Sequence, residues 1–191
     1  SGITDSGTVT VGGNFSATTG ANNGVINMGS MAVDGTFTLA PHSTGAVTIV
    51  NDAGLTLAAS TMGGTFSGTA TTGNITDTGA LAITGTTTLV TSADNATITL
   101  DTTTNAFTGA VTITTNDSSG TDADVTIDGG TTALVIAAST IDGDLTLTSD
   151  NASGITDSGT VTVGGNFSAT TGANNGVINM GSMAVDGTFT L

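Results

Sequence analysis

The chain has 191 residues and a formal net charge of −15, with fifteen acidic residues, one His and no Lys, Arg or Cys. Without Lys or Arg it lacks the groups that neutralise phosphates, which excludes nucleic acid and anionic lipid as partners. The lack of Cys excludes a disulfide scaffold. About a quarter of the residues are Thr, and the 37% of hydrophobic residues fall in short alternating runs, a composition that predicts an all-β protein with a narrow core.

The chain contains a long segment that occurs twice without any change. Residues 1–39 recur letter for letter as residues 153–191, so the repeat length is 152 residues. We interpret residues 1–152 as one full tandem repeat and residues 153–191 as the start of the next, within one continuous solenoid. Repetition at this scale is typical of proteins in which each unit packs on its neighbours.

A shorter pattern lies inside the repeat: an apolar residue, any residue, Gly, any residue, a mostly apolar residue, then Ser or Thr. We call the glycines of this pattern the anchor glycines. They are Gly13, Gly35, Gly64, Gly85, Gly109, Gly143 and Gly165. Because six anchors precede the restart at Gly165, the pattern predicts about six parallel β-coils of about 25 residues in each repeat. We expect glycine at a corner that needs positive φ or a close approach between coils.

Alternation along the strands divides the residues into an inner and an outer set. The residues predicted to be buried are Phe15, Phe37, Phe66, Phe107, Val111, Leu145 and Phe167. Those predicted to point outward are Ser16, Thr38, Ser67, Thr88, Thr112 and Thr146. Thr87 interrupts the inner set. We expect the inner aromatic rings of successive coils to stack along the axis at about 4.8 Å.

A longer similarity divides the repeat in two. Leu55–Met62 has the sequence LTLAASTM and matches Leu134–Ile141, which has the sequence LVIAASTI. The repeat is therefore expected to consist of two diverged three-coil halves.

Several stretches resemble the recurring blocks of giant bacterial surface proteins, the β-strand-repeat or filamentous-haemagglutinin-like adhesins. These stretches are Ala59–Gly64, Asn105–Val111 and Ile155–Asn166. The resemblance implies a right-handed parallel β-helix (a β-solenoid) that is exported across the outer membrane and displayed outside the cell. It implies no catalytic residue.

Few residues suggest chemistry, and we do not expect an enzyme. His42 lies in a turn-like stretch and has no second His or Cys nearby, which favours a surface loop residue over a ligand or base. Asp142 and Asp144 could form a carboxylate pair on one strand face, but Asp142 flanks an anchor glycine at a position that Gly, Thr or Asp occupies in other coils.

Calcium is the one cofactor that the sequence leaves open. The stretch from Asn116 to Asp128 contains Asp117, Asp122, Asp124 and Asp128, and carboxylate oxygens in a loop are suitable calcium ligands. The spacing differs from that of an EF-hand loop. The alternative interpretation is a solvated loop in which Asp and Asn form the turns.

Two kinds of function compete. The first is a structural unit that gives length and stiffness to an extracellular filament or adhesin stalk at the cell surface. Its partners would be further copies of the repeat, joined end to end or laterally, with no membrane insertion because no apolar run reaches about 18 residues. The second is a binding surface, either for surface glycans or host cells, or for ice through threonine pairs such as Thr36 with Thr38 and Thr86 with Thr88. The pairs are interrupted in sequence by Asn14, Ala110 and Asp144.

Overall fold

The computed structural model describes residues 2–20, 22–118, 122–172 and 175–191, and the regular structure in these ranges is all β. The described strands, numbered in chain order, are β1 (Ile3–Thr4), β2 (Val9–Val11), β3 (Phe15–Thr18), β4 (Ile26–Val33), β5 (Thr36–Ala40), β6 (Val47–Asn51), β7 (Leu55–Leu57), β8 (Ser60–Met62), β9 (Phe66–Ala70), β10 (Ile75–Asp77), β11 (Leu81–Ile83), β12 (Thr87–Asp94), β13 (Ile98–Leu100), β14 (Ala106–Phe107), β15 (Val111–Asn116), β16 (Val125–Asp128), β17 (Leu134–Ile136), β18 (Ser139–Ile141), β19 (Leu145–Ser149), β20 (Ile155–Asp157), β21 (Val161–Val163), β22 (Phe167–Thr171), β23 (Ile178–Asn179), β24 (Met183–Val185) and β25 (Phe189–Thr190). Among the described residues no helix is long and apolar enough to cross a membrane.

The strands form three sheets, and the strand pairings among the described residues are parallel. Sheet A contains β1, β2, β4, β6, β9, β12, β15, β17, β18, β20, β21, β23 and β24. Sheet B has the order β3-β5-β7-β10-β13-β16-β19-β22-β25, and sheet C has the order β8-β11-β14. Each coil passes from sheet A through sheet B and returns, so the chain is a β-solenoid. The predicted all-β parallel β-helix is confirmed.

One continuous core runs through the coils, and its side chains alternate with outer ones as predicted. Phe37, Phe66, Phe107, Val111, Leu145 and Phe167 are buried, and the six predicted outer residues are half-buried or exposed. Phe15 packs on the core but stays half-buried because the first coil has a neighbour on one side only. Thr87 is fully buried between Phe66 and Val111 of the adjacent strands.

The predicted stacking of aromatic rings occurs between two pairs of successive coils but does not extend along the axis. Within the described ranges, rings pair only between Phe15 and Phe37, with centroids 5.8 Å apart, and between Phe167 and Phe189, with centroids 4.9 Å apart. Phe66 lies in sheet A beside Val47, because the chain positions that carry Phe belong to different sheets in different coils. Aliphatic side chains fill the intervening positions of the core.

The number of coils in each repeat is one more than the predicted value of about six. Sheet B crosses seven strand-to-strand steps between Phe15 in β3 and its copy Phe167 in β22, so a repeat has seven coils of about 22 residues rather than six. The anchor glycines lie at two different corners. Gly35 and Gly143 precede strands of sheet B, whereas Gly64 precedes β9 of sheet A. Twice in each repeat, the interval between two anchor glycines therefore spans one and a half coils. The prediction of six coils assumed that every interval spans one coil.

The same change of side relates the two matched motifs. Leu55–Met62 forms β7 and β8 in sheets B and C, whereas Leu134–Ile141 forms β17 and β18 in sheet A. Three steps along sheet B lead from β7 to β16, and a further half coil leads to β17. The motifs are therefore three and a half coils apart, and successive halves place equivalent residues on different sheets.

Close approach between coils explains the anchor glycines. A Cβ added to Gly35 would lie 2.5 Å from the carbonyl oxygen of Gly13, to which the Gly35 N–H donates a hydrogen bond of 3.1 Å. Positive φ among the described glycines occurs instead at Gly130 and Gly154, outside the anchor set. Of the two reasons expected for glycine, close approach between coils is the one that applies at the anchors from Gly35 to Gly165, whereas a Cβ at Gly13, in the first coil, would meet no atom within 4 Å.

The second copy reproduces the contacts of the first. In the first copy the Asp5 carboxylate accepts hydrogen bonds from the N–H groups of Gly29 and Ser30, at 3.1 and 2.7 Å. In the second copy the Asp157 carboxylate accepts the equivalent bonds at 2.6 and 2.9 Å. The strand registers also repeat: Ile3 pairs with Ile26, and Ile155 pairs with Ile178. The copy thus continues the solenoid as the original begins it.

Candidate functional site

The outer face of sheet B carries one hydroxyl-bearing side chain in each of eight successive coils. We call this set the threonine row. Its members, in register from strand to strand, are Thr36, Thr56, Thr76, Thr99, Thr126, Thr146, Ser168 and Thr190. All are half-buried or exposed, while the strand residues on either side of them face the core in the interior coils. The row follows the spacing of parallel strands, about 4.8 Å per coil.

The hydroxyls of the row are largely free to contact solvent. Thr76 Oγ1 donates to Thr56 Oγ1 over 3.4 Å. Within the described part of the chain, the hydroxyls of Thr99, Thr126 and Thr146 make no hydrogen bond to protein. Thr is β-branched and has few χ1 rotamers, so these hydroxyl and methyl groups are held in nearly fixed positions.

A second outer row lies two residues further along each strand. Its members are Thr38, Ala58, Thr78, Asp101, Asp128, Thr148 and Thr170. Threonine pairs therefore occur in sheet B at Thr36 with Thr38, at Thr76 with Thr78 and at Thr146 with Thr148. The carboxylates of Asp101 and Asp128 interrupt the second row near its centre.

The expected arrangement of threonine pairs on one face was wrong in its members. Thr36 and Thr38 lie in β5 of sheet B, whereas Thr88 lies in β12 of sheet A. The residues expected to interrupt the ladder do not lie in the threonine row. Ala110 precedes β15 of sheet A, and Asp144 belongs to the corner before sheet B. Asn14 belongs to the same corner, one coil before Thr36 and in register with it, so it ends the row on that side. The row is more continuous than the sequence pattern indicated.

Side-chain oxygens of Asn and Asp connect the coils at the corner before sheet B. An Oδ1 atom in one coil accepts a hydrogen bond from the backbone N–H of the next. The pairs are Asn14 with Thr36 (3.0 Å), Asn74 with Thr97 (2.9 Å), Asp124 with Asp144 (2.8 Å), Asp144 with Asn166 (2.6 Å) and Asn166 with Thr188 (2.9 Å). These contacts satisfy backbone donors where the ladder is interrupted.

Carboxylates also follow sheet B at its other end, in four successive coils. They belong to Asp77, Asp101, Asp128 and Asp150. The pKa of Asp128 is raised above 3.8, mainly because burial disfavours the charged carboxylate. The hydrogen bond from the Gly130 N–H lowers this pKa, and the negative charges of Asp150, Asp101 and Asp77 raise it further. Asp77 Oδ2 accepts a 2.6 Å bond from Asn105, and Asp77 Oδ1 is a buried atom with no hydrogen-bond partner among the residues that the structure describes. Like charges therefore lie close together along this corner.

The four predicted calcium ligands make different contacts. Asp117 Oδ2 accepts a 3.4 Å bond from the Asp122 N–H, and Asp124 Oδ1 accepts from the Asp144 N–H. Asp128 Oδ1 accepts a 2.7 Å bond from the Gly130 N–H at the far end of β16. Ser119, Gly120 and Thr121 of the same stretch lie outside the described residues. Among the described residues no group of three or more acidic or His side chains is arranged to hold a metal. Calcium binding stays a prediction.

The other residues singled out for chemistry take part in turns and coil contacts. His42 is exposed, and its backbone N–H donates a hydrogen bond of 2.7 Å to Thr19 Oγ1. Asp142 Oδ2 accepts a 2.8 Å bond from the Asp117 N–H of the preceding coil, whereas Asp144 Oδ1 accepts from Asn166 of the following coil. The two carboxylates thus bond to opposite neighbours.

An open groove of about 210 Å³ lies on sheet A where β4 bulges. Its floor contains Met31 and Val50, and its polar groups come from Thr8, Ser30 and the exposed Asp52. Thr8 Oγ1 and Ser30 Oγ are 3.0 Å apart and share a hydrogen bond. The groove offers hydroxyls and one carboxylate over a small apolar surface.

Comparison with known families bears on the repeat itself. A family model described as repeats of unknown function (DUF5649) matches residues 44–114 and residues 122–184, together more than half of the chain. The chain belongs to this family. Each DUF5649 match contains one of the two matched motifs, Leu55–Met62 or Leu134–Ile141. No curated protein and no solved structure matches the chain.

A set of buried polar residues in the two ranges matched by the DUF5649 model was not predicted from the sequence. Ser60, Ser139, Asn51 and Asn105 are buried, at 5%, 6%, 0% and 1% exposure. Asn51 donates to the carbonyls of Val33 and Gly54 and accepts from the Val33 N–H. The signal that could have identified the serines is the shared Ala-Ala-Ser of the two motifs.

Proposed function

We propose that the chain is one period of a longer, uninterrupted β-solenoid that serves as the structural part of an extracellular bacterial filament or adhesin stalk. The observation that carries this proposal is the continuation of the solenoid by the second copy. Since Phe167 pairs with Phe189 as Phe15 pairs with Phe37, each added repeat can extend the same core and the same sheets. The proposal assigns the repeat no catalytic role.

Length follows directly from the coil count. Seven coils at about 4.8 Å each give an axial advance of about 34 Å per repeat. Nearest-neighbour packing allows copies to be added without a new core, so length scales with copy number. The continuous parallel hydrogen bonding makes the rod stiff, as a stalk requires.

The acidic composition suits a rod that stays separate from its neighbours. At −15 per 191 residues and with no cation in the chain, parallel rods repel one another at low ionic strength. Lateral bundling would therefore need salt or bridging cations. This is consistent with a single stalk more than with a thick fibre.

The experiment compares the 191-residue chain with chains lengthened by one and by two further 152-residue repeats. Small-angle scattering and electron microscopy should show rods whose length grows by about 34 Å per repeat at constant cross-section. Particles that grow in width, or separate beads joined by flexible linkers, would contradict the proposal. Protease treatment of intact source cells, followed by detection of the repeat, tests the surface location.

The alternative function is glycan binding by the repeat itself, and the groove at the β4 bulge is the feature that favours it. A groove with hydroxyls and one carboxylate can bind sugar hydroxyl groups. A glycan array would test this proposal, with Asp52→Asn expected to remove binding and Asp34→Asn, an exposed carboxylate outside the groove, to retain it. Equal binding by both variants would exclude the groove.

A further inference from the structure

The threonine row has properties that the stalk function does not require. It places a hydroxyl in register in eight successive coils, and the Thr36-to-Thr146 part contains threonine only. A stalk needs only polar outer residues. On sheet A, hydroxyl side chains are in register over four coils, at Thr48, Ser67, Thr88 and Thr112, and Asn27 ends that row beside Thr48; two residues further along the strands, valine alternates with threonine. There Val50 pairs with Thr69, and Thr69 pairs with Val90. The uniformity of the row on sheet B therefore needs a separate explanation.

The shape of this face restricts the ligand. Small molecules bind in concave sites, whereas the row lies on the outer face of a nine-stranded sheet. A regular row of this kind can make equivalent contacts along its whole length only with a ligand that is itself extended and periodic. Many weak contacts then act together, because a threonine that has bound the ligand holds the threonine of the next coil close to its own contact point.

The chemistry restricts it further. The row is uncharged, and each Thr offers a hydroxyl beside a methyl group. Crystalline polysaccharides present flat sugar rings, for which aromatic side chains are suitable partners, but the chain has no Tyr or Trp and the phenylalanines of the interior coils are buried. An uncharged hydrogen-bonded lattice of water remains. The hydroxyls of the row repeat at the strand spacing of about 4.8 Å, so a ligand must have a short and regular repeat of its own to contact each of them in the same way.

We propose that the threonine row of sheet B is an ice-binding surface. The stiff χ1 of Thr and the parallel ladder on both sides of each strand hold the hydroxyl and methyl groups at fixed spacing, so little rotamer entropy is lost when a water layer orders against them. This inference goes beyond the stalk function and does not depend on it. A stalk with such a face would attach its bearer to ice.

The second row explains where this surface is weakest. Thr38 and Thr78 widen the face in their coils, but Asp101 and Asp128 place charges beside the row in the next two. A carboxylate orders water around itself rather than in the lattice. Asp101 is exposed and its side chain makes no hydrogen bond within the described part of the chain, so Asp101→Thr should be tolerated and should strengthen ice binding.

The test measures thermal hysteresis and inhibition of ice recrystallisation by the 191-residue chain. Thr99→Lys/Thr126→Lys places two bulky charges in the middle of the row. Thr69→Lys/Thr114→Lys makes the same charge change on the outer face of sheet A and is the matched control. Circular dichroism and thermal unfolding establish that both variants fold.

We expect the row variant to lose at least tenfold in hysteresis, the sheet A control to stay within twofold of the parent, and Asp101→Thr to gain about twofold. A parent chain without hysteresis would overturn the proposal. So would equal losses in both double variants, or binding to crystalline cellulose or chitin in place of ice. None of these results would alter the rod lengths that test the stalk function.

Discussion

Ser60 and Ser139 make the same pair of buried hydrogen bonds on different sheets of the solenoid. Ser60 Oγ accepts the Leu39 N–H over 2.9 Å and donates to the Ala58 carbonyl over 2.8 Å. Ser139 Oγ accepts the Ile113 N–H over 3.0 Å and donates to the Ala137 carbonyl over 2.9 Å. At both places the chain turns a corner between two short strands, and the hydroxyl replaces a missing rung of the ladder.

Replacing either serine by alanine should therefore leave a buried backbone N–H without an acceptor. We expect Ser60→Ala and Ser139→Ala each to lower the free energy of unfolding by about 1–3 kcal/mol. The two losses should be similar because the sites are equivalent. Chemical denaturation measures them.

The control is Ser92→Ala, since Ser92 is exposed and its hydroxyl makes no hydrogen bond within the described residues. It should change stability by less than about 0.5 kcal/mol. If Ser60→Ala were as mild as this control, the hydroxyl would not be the acceptor that the corner needs.

Thr87 offers a change in the opposite direction. Its side chain is fully buried, and its Oγ1 is one of two buried side-chain atoms without a partner among the described residues. Valine has nearly the same shape and no hydroxyl, so Thr87→Val should raise the free energy of unfolding by about 1 kcal/mol. Thr91→Val is the matched control, because Thr91 is buried but donates to the Ala96 carbonyl over 3.2 Å. It should destabilise; stabilisation by both changes would indicate a hydrophobic effect alone.

Local alternation was enough to predict which residues face the core. Phe37, Phe66 and Leu145 are buried because a period of two fixes the inner side of any strand whose start is marked by a glycine. The fold class followed from the same pattern together with the identical repeat. Residues such as Ser60 were missed because a polar residue at a buried corner breaks the alternation.

What could not be predicted depends on how the strands are arranged around the axis. Glycine marks both corners with the same local pattern, so Gly35 and Gly64 look equivalent in sequence although they precede different sheets. That ambiguity produced the count of six coils. It also hid the threonine row, because neither Thr56 nor Thr76 belongs to the anchor pattern and their alignment exists only once the coils are in register.

The raised pKa of Asp128 makes a prediction about pH. Burial of this carboxyl disfavours its charged form, so the folded state binds the proton more tightly than the unfolded chain. Stability should then fall as the pH rises from about 3.8 through the folded pKa. Asp128→Asn keeps the acceptor for the Gly130 N–H but has no charge.

The variant should be more stable than the parent at pH 7, and the difference should disappear below pH 3.8, where the parent carboxyl is protonated. Denaturation curves between pH 3 and pH 7 measure this difference. A variant that is less stable at neutral pH, or a difference that does not change with pH, would mean that the charge of Asp128 is not disfavoured by its surroundings.

The identical repeat supplies a comparison in which the local sequence is held constant. Phe37 and Phe189 are copies in the same sequence context, but Phe37 is fully buried and Phe189 is 50% exposed. Phe37→Asp places a charge in a core where no cation exists to pair with it, and it should cost more than the about 3–5 kcal/mol of a Phe→Ala change. Phe189→Asp should cost far less, because its carboxylate can reach water. Thermal unfolding of the two variants compares them directly, and equal melting temperatures would mean that burial by the next coil does not stabilise the solenoid.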